Sequence, residues 1–99
     1  MLPLSYFIEA RGPMCEICGE RPAEHRHHAL YGRAKRYPEL NDERNIQIVC
    51  VVCHLYTGAA DTWDNRMNFW LVQCDRYGKA DMIAWHEGLP MKVKERAYC

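Results

Sequence analysis

At 99 residues the chain has room for one domain and for no second independent core. Thirteen basic residues against thirteen acidic ones leave no net charge, which excludes a whole-molecule field able to hold the chain on a polyanion, so any nucleic-acid site has to be local. A hydrophobic fraction of 48% and an aromatic fraction of 11% exclude a disordered chain, and six cysteines offer the staple that so small a core needs.

Residues 2 to 14 contain Pro3, Gly12 and Pro13, which interrupt any long regular element, so Leu4, Tyr6, Phe7 and Ile8 read as a short apolar lead-in strand or turn. The same stretch lacks the basic region of a signal peptide, and no run approaches the length of a membrane span; a cytoplasmic protein is expected. In that compartment paired cysteines are metal ligands more often than disulfides. Cys15-Glu16-Ile17-Cys18-Gly19-Glu20 has the form of a zinc knuckle, a tight turn whose glycine permits a positive φ after the second ligand. The next strand candidate is Ala23 to Leu30, which carries His25, His27 and His28 and runs into Tyr31-Gly32-Arg33. Arg33, Lys35, Arg36 and Arg44 sit with Tyr37 and Pro38 in what reads as a surface loop.

Asn45-Ile46-Gln47-Ile48-Val49-Cys50 alternates polar and apolar before a β-branched run, predicting a short strand that leads into Cys50-Val51-Val52-Cys53-His54. A helical turn follows His54 and is interrupted by Gly58. Asp61, with Asp64 three residues on, reads as the N-cap of a longer helix. Trp63, Met67, Trp70, Cys74 and Tyr77 then fall on one apolar face as far as Gly78. A shorter helix, about Ala80 to Glu87, closes at Gly88-Leu89-Pro90, and Met91 to Cys99 reads as a mobile tail.

Two sets of residues carry chemistry. Cys15, Cys18, Cys50 and Cys53 form two close pairs separated by about thirty residues, which suits one tetrahedral zinc held between facing knuckles. Such a site is closed to water, so this zinc is structural. Cys74 reads as a small core residue and Cys99 receives no role. The second set is His27-His28, Asn45 and His54. Adjacent histidines on a strand point to opposite faces, or splay where the strand ends, so they have different jobs. One can ligate a divalent cation while the other takes a proton from water. His54, tied to the second knuckle, is positioned to be another ligand, and a metal with few protein ligands leaves room for phosphate oxygens and water. Arg33, Lys35, Arg36 and Arg44 are then candidate phosphate contacts. His25 and His86 read as surface or hydrogen-bonded histidines, and Asn45 taken alone reads as a turn or cap residue.

The combined pattern, Cys-x2-Cys, His-His, then Asn-Ile-x-x-x-Cys-x2-Cys-His, resembles the zinc-containing branch of the HNH endonuclease family over roughly Cys15 to Gly58. His-His-x-x-Tyr-Gly-Arg is also similar to small phage-encoded members. The resemblance implies a ββα-metal core, with His27 as cation ligand, His28 as general base, Asn45 fixing the loop between strands and His54 as second ligand. Gly58 stands where some members carry a further histidine, and Leu55-Tyr56-Thr57 replaces the lysine many have there.

The expectation is therefore an α+β fold: a small zinc-stapled, treble-clef-like ββα core at about residues 15–60, with a C-terminal helical extension at about 61–90, in one domain spanning 1–99. The expected function is hydrolysis of DNA phosphodiester bonds, with structural Zn2+ and a catalytic Mg2+ or other divalent cation. DNA is the expected partner, a larger phage protein a further one suggested by family habit alone, and host cytoplasm the location if the chain is phage-encoded. The rival reading is a catalytically inactive zinc-knuckle module that binds nucleic acid or a protein partner.

Overall fold

Pro3 and Gly12 delimit a helix instead of breaking one. In the computed structural model, which describes residues 1–95, α1 runs Leu4–Arg11 where a lead-in strand or turn was expected. Proline's fixed φ suits the residue ahead of a first helical turn, and the helix stops where the Gly12 N–H returns to the Ile8 carbonyl at 2.8 Å. α1 buries Phe7 against Ala23, Ile46 and Ile48.

The sheet is one antiparallel pair, β1 (His25–His28) and β2 (Ile46–Val49), with His25 opposite Val49 and His27 opposite Gln47. β1 is shorter than the predicted Ala23 to Leu30 because the chain beyond His28 turns its backbone onto Asn45. The Ala29 N–H reaches the Asn45 carbonyl at 2.9 Å, and the Leu30 and Tyr31 N–H groups donate to Asn45 Oδ1 at 3.0 and 2.9 Å.

All four residues of β2 are buried. Ile46 and Ile48 face α1, Val49 packs with Cys15, Cys50 and Cys53, and the Gln47 amide exchanges two hydrogen bonds with the Asn65 amide, at 3.0 and 2.8 Å. The first knuckle closes over β2 from the other side: the Glu16 N–H donates to the Ile48 carbonyl at 2.9 Å, and Met14 and Pro22 form an isolated antiparallel bridge across the base of the turn.

After β2 the chain makes a π-helical turn, Val52–Tyr56, and a 3-10 turn, Ala59–Asp61, before α2 (Trp63–Tyr77). The N-cap of α2 is Thr62, not Asp61: the Thr62 hydroxyl accepts from the Asn65 N–H at 3.1 Å, while Asp61 ends the preceding turn. The buried stripe of α2 also differs from the predicted apolar face. It consists of Asn65, Phe69 and Gln73, whereas Trp63 is 52% and Met67 43% exposed. Two amides sit on the buried face because polar backbone lies opposite: Asn65 donates to the Ala60 carbonyl at 3.0 Å and Gln73 to the Arg44 carbonyl at 2.9 Å.

α3 (Lys79–Glu87) and α4 (Met91–Glu95) complete a second core in which Leu30, Tyr31, Leu40, Phe69, Met82, Leu89 and Val93 meet, with Trp70, Cys74 and Tyr77 at its edge. The expected tail thus begins as helix; residues 96–99, with Cys99, lie outside the described residues. Among the described residues no helix is long and apolar enough to cross a membrane.

Candidate functional site

The two knuckles bring Cys15, Cys18, Cys50 and Cys53 together, each offering a sulfur within 4.8 Å of the others. Each knuckle is a turn that aims backbone N–H groups at its first sulfur. Ile17 N–H donates to Cys15 Sγ and Cys53 N–H to Cys50 Sγ, both at 3.4 Å. Gly19, at φ 66°, supplies the left-handed residue that lets its N–H return to the Cys15 carbonyl.

The fit to a metal can be tested on this geometry. Zn–S bonds of about 2.3 Å in a tetrahedron place sulfurs roughly 3.8 Å apart; Cys18 Sγ and Cys50 Sγ lie 3.9 Å apart. The backbone N–H of Glu20, against the opposing effect of partial burial, pulls the Cys18 thiol down to about 6. Burial and the neighbouring sulfurs push Cys53 up to about 12. A dication bound here would take all four sulfurs as thiolates and so offset the burial that raises Cys53. The donor set fits zinc, closed on all four sides.

The sheet and the second knuckle assemble the histidines. β1's alternation puts His25 and His27 on one face, toward the π-helical turn that carries His54. The His54 ring lies 5.1 Å from the His25 ring and 5.0 Å from the His27 ring, centre to centre. His25 Nδ1 and His54 Nδ1 are 3.0 Å apart, and His27 Nε2 donates to the Ala60 carbonyl at 3.0 Å. Burial, partly offset by that carbonyl, holds the His27 imidazole below its ordinary pKa, and the nearby His54 adds to the effect. Asp61 Oδ1 lies 3.9 Å from His27 Nε2.

His28 ends β1 and turns into the same groove as His27. This groove, about 330 Å3, runs between β1 and the start of α2, with Asp61, Trp63 and Arg66 on its far side. His28 Nε2 donates to Asn41 Oδ1 at 2.9 Å, which leaves Nδ1 with the lone pair. No known family, curated protein or solved structure matches the chain. The site has therefore to be read from its own geometry.

Asn45 is fully buried and belongs neither to the lining of this groove nor to the thiol cluster. Besides accepting from Leu30 and Tyr31, its amide donates to the Tyr31 and Leu40 carbonyls, both at 2.8 Å, which pins the loop that follows His28. The four basic candidates separate into two groups. Arg33, Lys35 and Arg36 lie exposed on the loop, with the Arg33 guanidinium 5.2 Å from the centre of the Tyr37 ring. Arg44 is instead held by Asp42 at 3.1 Å and by Asp81 at 2.7 Å. Of the two histidines set aside in the sequence, His25 meets His54, and His86 Nδ1 shares a short hydrogen bond with the Tyr31 hydroxyl in the helical core. Period-two spacing from His27 was the signal for His25. Cys74 packs against the helical core, apart from the four clustered thiols.

Proposed function

We propose that the chain is a zinc-stapled, metal-dependent endonuclease of the HNH type that hydrolyses DNA phosphodiester bonds. The observation that carries this reading is the groove that His27 and His28 share beside His54: His28 Nε2–H is committed to Asn41 Oδ1, which leaves Nδ1 with the lone pair, and the His54 ring lies 5.0 Å from the His27 ring. The order strand, strand, helical turn, with cysteines bracketing both ends, supports the ββα comparison drawn from the sequence.

In this reading the structural zinc fixes the direction of His54 and takes no part in the reaction. A second divalent cation, held by His27 and His54, supplies Lewis-acid stabilisation of the phosphate and the leaving oxygen when bound. His28, with Nε2–H committed to Asn41, takes a proton at Nδ1 from the attacking water. Arg66 on the groove wall and Arg33, Lys35 and Arg36 on the neighbouring loop give the DNA backbone its positive contacts.

Nicking of supercoiled plasmid by the zinc-loaded protein tests the proposal. With Mg2+, Mn2+ or Ni2+ added, His28→Ala is expected to lose about 10²- to 10⁴-fold in rate, the usual contribution of a general base. Equal residual cutting by wild type and variant would sink the assignment of His28. DNA binding without turnover under every cation would favour the inactive binding module, for which Gly58, a left-handed turn residue in place of a further ligand, already speaks.

A further inference from the structure

His54 offers one nitrogen to a cation, and the chain one helical turn later offers none, because Gly58 turns away at φ 74° with no side chain. The partner His54 does have comes from upstream. His25 lies two residues before His27 on the same face of β1, opposite Val49, the residue that leads straight into Cys50. Both histidines are therefore anchored to the knuckle that zinc holds. Their Nδ1 atoms approach to 3.0 Å with the rings inclined at 69°. Two neutral imidazoles at this spacing share a single N–H. It is also close to the separation of two nitrogens on one ion, since metal–nitrogen bonds of about 2.0–2.1 Å place neighbouring ligand atoms roughly 2.9 to 3.4 Å apart.

We propose that His25 is a ligand of the second cation, presenting Nδ1 beside His54 Nδ1, with the remaining positions left to water and substrate oxygens. The ligand set selects the class of ion. Neutral imidazoles suit Ni2+, Co2+, Cu2+ and Zn2+, whereas Mg2+ takes oxygen ligands and keeps much of its water. The ion's task rests on the nuclease reading of the same site; its binding does not.

The test is calorimetric titration of Ni2+ into the full chain already loaded with zinc. The expected result is one Ni2+ per chain beyond the thiolate-bound zinc, undisturbed by excess Mg2+. His25→Ala and His25→Asn should both bind it more than about 100-fold more weakly, beyond the roughly 10- to 100-fold loss that follows removal of an orienting neighbour. Retention of zinc by both variants shows that they fold. His25→Asn can keep a hydrogen bond to His54 while losing the imidazole, so wild-type Ni2+ affinity in that variant overturns ligation by His25. Absence of this Ni2+, or its displacement by Mg2+, overturns the proposal as well. Nicking assays on the same samples keep the two readings apart: Ni2+ bound through His25 without cutting defeats the nuclease reading alone, and cutting that survives intact in His25→Asn defeats the His25 assignment alone.

Discussion

A single buried amide connects the end of β1 to the loop that carries the basic residues. Asn45 uses its oxygen twice and its nitrogen twice, on backbone groups of Leu30, Tyr31 and Leu40 that have no water to turn to. Removing it strands several buried donors and acceptors, each costing about 1–3 kcal/mol. Asn45→Ala is expected to destabilise the zinc-loaded protein by roughly 3 kcal/mol or more in urea unfolding, a figure that again follows from the cost of unpaired buried groups. A loss below about 1 kcal/mol would mean that the loop finds other partners. In the sequence, Asn45 could be placed before a strand, but its partners could not be read, because they are main-chain groups whose position depends on where β1 stops. His25 shows the opposite case. The period of two was present in the letters His25-Arg26-His27, yet the distance to His54 required the antiparallel register and the direction of the knuckle.

Among the elements, the knuckles and β2 were the most legible, since cysteine spacing and β-branched alternation are local signals. α1 and the buried face of α2 were not. α1 depends on contacts far along the chain: the Arg11 guanidinium, with its side chain only 2% exposed, donates to Glu16 at 3.1 Å, to the Glu43 carbonyl at 3.0 Å and to the Ile46 carbonyl. α2 buries Asn65 and Gln73 because each finds polar partners beside β2, a tertiary effect that an apolar stripe does not encode. The cysteine-bearing elements, as a proposed zinc site, make a direct prediction. Structural zinc binding is worth about 10–16 kcal/mol in small fingers, which matches or exceeds the 5–15 kcal/mol total stability of an ordinary domain. Chelation at neutral pH is expected to abolish hydrogen-exchange protection of the Ile46–Val49 amides. Protection that outlasts complete zinc removal would show that α1 and α2 hold β2 unaided.

At the scale of the whole molecule, balanced charge means that the proposed DNA affinity would depend on where the cations are and not on their sum. Arg33, Lys35 and Arg36 are exposed on one loop, while Arg44 is bound to Asp42 and Asp81. Neutralising the three loop residues together is expected to flatten the dependence of log K on log salt by about 2.7, at roughly 0.9 per phosphate contact on duplex DNA. Arg44→Ala should leave that slope unchanged and cost about 1 kcal/mol of stability through its partly exposed ion pairs. Fluorescence anisotropy across a salt series checks both, and an unchanged slope in the triple variant would remove this loop from the DNA interface.

The division of the zinc site between two distant knuckles also has a consequence in time. Cys18 and Cys50 are 32 positions apart, and synthesis at roughly 5–20 residues per second separates them by about 2 to 6 s. During that interval the nascent chain holds two thiols without their counterparts, and β1, with its histidines, emerges before β2 exists to pair with it. His54 follows Cys53 directly, so it leaves the ribosome just after the last thiolate ligand. A second ion held by His54, as proposed, would therefore have no complete ligand set until all four cysteines have left the ribosome.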